Sequence, residues 1–124
     1  MTYTQNFRHL CRTLTVWSPS REATDHGTLA DPTYTQGPAI LARVKERSAM
    51  EVPGLPMDYT GTAAEVTVDV ADGANVQEND LLRDAAHPLG LRVWRVAGVE
   101  LRGGPVPRVL LKCTQEQMPP TEVR

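Results

Sequence analysis

Aromatic side chains are scarce: phenylalanine occurs once, tryptophan twice and tyrosine three times in 124 residues. A core with so few large rings must be small and made mostly from Val, Leu and Ala. Cysteine occurs only as Cys11 and Cys113, too few for a disulfide-stapled scaffold. The opening MTYTQNFRHLCRTL lacks the apolar run of a secretory signal. The expectation is two free, buried thiols in a protein made in a reducing cytoplasm. No run approaches the length of a membrane span. Neither sign of charge dominates: 13 basic residues face 15 acidic ones, a net charge of −2. That balance gives no general attraction for nucleic acid or a membrane surface.

Catalytic signatures are missing as well. There is no GxSxG, Walker loop, HExxH, CxxC or dinucleotide fingerprint. His9, His26 and His87 stand in three separate contexts without a Cys or acid at ligand spacing, so no metal or other cofactor is expected. Asp25-His26-Gly27 is an ordinary turn composition. Asp80 and Asp84 bracket a strand at spacing four and share a face, but a strand-edge Asp more commonly caps a turn than moves a proton. The chain reads as a non-enzyme.

What is present is turn chemistry and short β-branched runs. Ten prolines and nine glycines are too few for disorder and too many for a helical bundle. The most organised stretch is Asp80–Cys113. Its apolar runs Asp80–Arg83, Leu91–Leu101 and Val106–Cys113 are separated by HPLG and RGGP, which predicts a three-stranded antiparallel meander. In the middle run Arg92, Trp94 and Val96 share one face and Leu91, Val93 and Arg95 the other, so both faces should be partly covered. Gly98 breaks the alternation and predicts a bulge that helps to close a small barrel.

Upstream, TLTVW over Thr13–Trp17 reads as a strand ending at Ser18-Pro19, after an amphipathic stretch compatible with a short helix over Thr2–Thr13. Ser18–Pro38 carries no periodicity and reads as a long loop. Ala39–Arg47 and Gly61–Val70 alternate cleanly. Pairing them antiparallel so that partner numbers sum to 112 sets Val44 against Val68, Arg43 against Asp69 and Arg47 against Glu65. That register makes the basic run a salt-bridged solvent face. Between these strands, SAMEVPGLPMDYT is unusually apolar for a connection, with Met50, Val52, Leu55, Met57 and Tyr59 held apart by Pro53, Gly54 and Pro56. Asp72-Gly73 reads as a turn, and Gln115–Arg124, with Pro119-Pro120, as a frayed tail.

The expected architecture is all-β: a single domain, 1–124, whose small antiparallel barrel or rolled sheet of about six strands spans 13–114. Two long loops, 18–38 and 48–60, and a flexible tail, 115–124, complete it. An oligonucleotide-binding barrel has this architecture, but it stacks bases on several aromatics over a basic groove, and this chain is poor in both.

The pattern V-x-x-x-D-L-L, R-V-W-R-V-A-G-V-E and R-V-L-L-K-C, preceded by a strand like Leu14–Trp17 and by ILARVKER, resembles the head–tail connector proteins of long-tailed bacteriophages, of the head-completion or stopper type. The resemblance covers most of Leu14–Cys113 and rests on barrel-forming positions with the Asp80-Leu81-Leu82 and Val96-Ala97-Gly98-Val99 signatures. It implies a homo-oligomeric ring, usually of six copies, in the virion neck between the portal-bound adaptor and the tail, helping to retain packaged DNA without sequence specificity. By position, the loop with Met50, Val52, Pro53, Leu55, Pro56, Met57 and Tyr59 would face the channel or the tail. Arg21, Asp25, Asp31 and Tyr34 would lie on an arm towards a neighbouring subunit or the adaptor. A small core and an apolar loop fit a subunit that neighbours stabilise. The tail-completion and tail-terminator ring proteins share such meanders and form the alternative within the same particle; a small nucleic-acid-binding barrel is the alternative outside it.

Overall fold

The computed structural model describes residues 11–20, 32–48 and 62–124. Among these, six strands and one helical turn follow in the order β1 (Arg12–Ser20), β2 (Thr33–Ser48), β3 (Thr62–Asp69), α1 (Val70–Gly73), β4 (Leu81–Asp84), β5 (Arg92–Arg102) and β6 (Arg108–Gln115). The strands close into a barrel in the order β1-β2-β3-β6-β5-β4, every neighbouring pair antiparallel. The small all-β barrel expected from the alternating runs is the fold observed.

Alternation explains the core. Leu14 and Val16 of β1, Val66 and Val68 of β3, and Trp94 and Val96 of β5 are buried in one cluster with Leu111 and Cys113 of β6. Cys11 and Cys113 form no disulfide, as expected; Cys113 is buried, but Cys11 is only half-buried. Trp94, 0% exposed, is the largest fully buried side chain of the interior. Its indole supplies bulk that Val and Ala cannot, so the barrel fills around one ring. The predicted meander is β4-β5-β6, and the ladder shifts register between Val96 and Gly98, where the bulge was expected. Gly90 and Gly104, in the two separators, take φ of 101° and 129°, values that glycine alone adopts without strain.

The β2–β3 pairing keeps the predicted parity and corrects the predicted register. Ala42 faces Val68 and Val44 faces Val66, so partner numbers sum to 110. Lys45 is opposite Glu65, while Arg43 is opposite Thr67 and Arg47 opposite Ala63. Asp69 instead pairs with Arg108 of β6, Oδ1 to Nη1 at 3.2 Å. Parity follows from which face is buried; the two-residue choice turned on a third strand that a two-strand comparison leaves out.

Three other expectations are corrected. The segment read as one loop over 18–38 begins and ends as strand, because β1 reaches Ser20 and β2 starts at Thr33; the two pair through Ser18↔Thr35 and Ser20↔Thr33. A bulge between Thr15 and Trp17 bends this hairpin, and Gly37 lets it close: a Cβ there would sit 3.1 Å from the Val16 carbonyl oxygen. The Asp72-Gly73 turn is one turn of helix, α1. It packs so tightly on β6 that a Cβ on Gly73 would meet Val109 at 2.6 Å. Beyond it, buried Val76 joins the core cluster and plugs that end of the barrel.

Finally, the tail read as frayed is docked. Val123 is 0% exposed and clusters with Tyr34, Leu81 and Val93, with Trp17 packed alongside. These residues belong to the outer face of the barrel, so the second face of the meander is covered by residues 116–124. Of the helix expected over Thr2–Thr13, Arg12 and Thr13 lie in β1 and the remaining described residue, Cys11, lies outside any helix; residues 2–10 fall outside the described residues.

Candidate functional site

The channel-loop residues Met50, Val52, Pro53, Leu55, Pro56, Met57 and Tyr59 lie outside the described residues, as do Arg21, Asp25 and Asp31 of the expected arm. Tyr34 is described and does not stand on an arm. It is buried on β2, its backbone N–H donating to Glu122 Oε1 at 3.1 Å and its hydroxyl accepting from Arg95 Nη1 at 3.4 Å.

The end of the barrel where β2 gives way to β3 has a charged lining. Arg12 pairs with core residue Ala42, and Glu46 with core residue Ala64, so both side chains start on the inner face. Arg12 Nη2 lies 2.7 Å from Asp84 Oδ2, and Asp84 Oδ1 accepts from Ala86 N at 3.2 Å. Glu46 Oε1 accepts from His87 Nε2 at 2.5 Å, while His87 Nδ1 accepts from Leu89 N at 3.0 Å. The second bond requires an unprotonated Nδ1, which fixes the proton of the neutral ring on Nε2. Arg12 is thus paired with Asp84, and Glu46 with His87, at this end of the barrel. Asp80, the other half of the carboxylate pair seen in the sequence, accepts from Gln77 N at 2.9 Å and shapes the turn into β4. Among the described residues no three His, Cys, Asp or Glu side chains are placed to hold a metal ion.

At the opposite end, β5 and β6 run on as a hairpin. Strand β4 pairs with β5 only over Arg92–Arg95, with two further backbone bonds joining Val96 to Asn79 and Asp80. From Ala97 to Arg102, β5 has a strand partner on one side only among the described residues, namely β6. Val99 and Leu101 face the same way as core residues Leu111 and Val109 opposite them, but no β4 residue pairs alongside and they are 43% and 69% exposed. Val70, where α1 begins, is 41% exposed. A one-sided strand bearing alternate exposed apolar residues invites another chain.

The outer face of β2, β3 and β6 holds a shallow basin of about 190 Å³, floored by Leu110 and rimmed by Arg43, Lys45, Glu65 and Thr67. Next to it, Lys112 Nζ lies 3.4 Å from Glu100 Oε2. Of the basic run, Lys45 stands opposite an acid, Glu65, and the expected pairs Arg43–Asp69 and Arg47–Glu65 are not formed in the observed register.

No family model and no curated protein matches this chain. Among solved structures, protein SF1141 of Shigella flexneri 2a, determined in solution, is similar over 86% of this chain and 94% of its own length, with a TM-score of 0.61 and 16% sequence identity. The two share a barrel fold.

Proposed function

We propose that this chain is a structural subunit of a tailed-phage neck, forming a ring between the portal-bound adaptor and the tail that completes the head and helps to retain packaged DNA. The observation that carries this reading is the β5–β6 hairpin, whose Ala97–Arg102 edge and exposed Val99 and Leu101 are left for a neighbour to cover. The resemblance of Leu14–Cys113 to head-completion proteins supplies the identity of that neighbour: further copies of this chain, with the adaptor and tail proteins above and below. Subunit contacts of this kind are heterologous, and a ring closes when the rotation between copies divides a full turn.

The test is the mass of the native protein across a concentration series, alone and with the other neck components, followed by placing the chain in an image of the assembled particle. A closed ring in the neck is expected. A persistent monomer that binds single-stranded nucleic acid with a steep salt dependence would replace this reading by the small nucleic-acid-binding barrel. A ring located on the tail tube would assign the chain to tail completion or termination.

A further inference from the structure

The strand order closes where β1 meets β4. The ladder at that seam is short: Thr15 pairs with Arg83, Val16 with Leu82 and Trp17 with Leu81, whereas β1 pairs with β2 from Arg12 to Ser20. Strand β4, Leu81–Asp84, is also the shortest of the six. Bonded over so small a length, it is the stave held least by its own ladders, and local opening starts where such bonding is thinnest.

Two further sets of contacts cross the seam. On the inner side Arg12 of β1 holds Asp84 of β4, Nη2 to Oδ2 at 2.7 Å. On the outer side lies a strap, residues 116–124. It starts on β5, where Glu116 N donates to Val93 O at 2.8 Å and Glu116 Oε2 lies 2.6 Å from Arg95 Nη2. It ends with adjacent residues tied to opposite sides: Glu122 Oε1 accepts from Tyr34 N of β2 at 3.1 Å, and Val123 O accepts from Arg83 Nε of β4 at 2.9 Å. The Val123 side chain, 0% exposed, sits in a groove made by Tyr34 of β2, Leu81 of β4 and Val93 of β5, with Trp17 of β1 alongside. One side chain thus draws together four strands, two from each side of the seam.

The strap is built to leave as a piece. Gln117 and Met118 are exposed, Met118 to 80%, and Pro119-Pro120 follow. The turn that presents Val123 is held internally, by Val123 N to Pro120 O at 3.0 Å and Arg124 Nε to Pro119 O at 2.7 Å. Its departure gives up the contacts of Glu122 and Val123 and breaks no strand ladder. We infer that residues 116–124 are a clasp on the β1–β4 seam, and that release of the Glu122-Val123 end opens the barrel there while β2, β3, β6 and β5 stay paired. The fold then contains a conformational step short of unfolding: β4 loosens from β1, and the interior around Val16, Leu82 and Trp94 becomes reachable from that side. Every contact involved lies within one chain, so the clasp stands apart from the neck reading.

Native-state hydrogen exchange on the full chain tests the clasp. Val123→Asp puts an unpaired carboxylate into an apolar cluster and should release the strap. The amides of Thr15–Trp17 and Leu81–Asp84 should then lose protection about tenfold or more, while those of Val66 and Leu111 keep theirs. Val123→Ala, the milder variant, should give the same order with a smaller loss. A disulfide between Thr15→Cys and Arg83→Cys, which stand opposite each other across the seam, should restore protection to both segments of the Val123→Asp chain when it is oxidised. Unchanged exchange on β1 and β4, once the amide of residue 123 has lost its own protection, would reduce the strap to a cover and overturn the inference. Equal loss over all six strands in Val123→Ala would overturn it too, because barrel and strap would then open only as one unit.

Discussion

Arg12 and Asp84 meet inside the mouth of the barrel with Nη2 and Oδ2 2.7 Å apart, the carboxylate side chain wholly buried and the guanidinium side chain 28% exposed. The pair is asymmetric, so its two halves differ in what their loss exposes. Removing the arginine strands a buried carboxylate, and breaking a buried pair in this way costs about 3–5 kcal/mol. Arg12→Ala should therefore lower stability sharply in urea unfolding. Replacing both partners at once, Arg12→Met with Asp84→Leu, should recover most of that loss. A double variant as unstable as Arg12→Ala would show that the pair does more than neutralise itself.

The core is the part of the molecule most legible from its sequence. Alternation along Ala39–Arg47 and Gly61–Val70 identifies the buried faces, since Val66 and Val68 cannot be hidden without exposing Glu65 and Thr67 to the other side. Gly98 marks its bulge for the same reason: it interrupts a period. Register is a different problem, because Asp69 had two basic residues within reach and Arg108 lies some forty positions away in sequence. The strand ends Ser18–Ser20 and Thr33–Pro38 were illegible for lack of apolar periodicity; they pair with each other beyond the core, where polar residues carry no face preference. The strap, residues 116–124 docked on the outer face, was hidden for a simpler reason. A single valine between Glu122 and Arg124 has no period at all, and its burial depends on a groove assembled from four separate strands. Of the candidate site, the sequence showed the acids Asp80 and Asp84, but not that a turn and Arg12 would occupy them.

Trp94 is fully buried at the centre of the interior. Trp94→Ala should cost about 3–5 kcal/mol, a large share of the stability of a domain this size. In a Trp17→Phe protein, where Trp94 is the only indole left, fluorescence should be blue-shifted and largely protected from an aqueous quencher. Red-shifted emission open to the quencher would contradict the packing described.

Docking of the strap should respond to acid. The Glu122 carboxyl is held below the usual carboxylate range by its own backbone N–H and by the Tyr34 N–H. Because the docked state favours the charged form, its contribution is complete above the ordinary carboxylate pKa and is lost as pH falls through the lower, docked value. The protection of the Val123 amide, relative to its intrinsic exchange rate at each pH, should fall across that window before that of the β3 and β6 amides changes. Glu122→Gln should flatten this dependence. An unchanged pH profile in the variant would assign the acid response to another group.

Val123→Ala removes about two methylene equivalents from an enclosed site, a loss of about 2 kcal/mol. That loss falls on the strap. Exchange at Glu116 and Val123 should rise, while the barrel amides of Val66, Val96 and Leu111 keep their protection. Uniform loss of protection would instead make the strap part of one cooperative unit with the barrel.

The last prediction separates folding from assembly. Leu101 is 69% exposed, so Leu101→Asp removes little buried surface and should change unfolding free energy by no more than about 0.5 kcal/mol. On the proposed function the same side chain belongs to a face that a neighbouring copy covers, where an unpaired carboxylate would be desolvated. The variant should therefore melt like the parent protein and fail to form rings, and Val99→Asp should do the same to a lesser degree, because Val99 is less exposed. Gly73→Ala supplies the opposite control. Its new methyl would collide with Val109, at a cost of about 1–3 kcal/mol, lowering stability without touching the exposed hairpin. If Leu101→Asp assembles normally, the exposed hairpin is not a subunit contact and the observation on which the neck reading rests is lost.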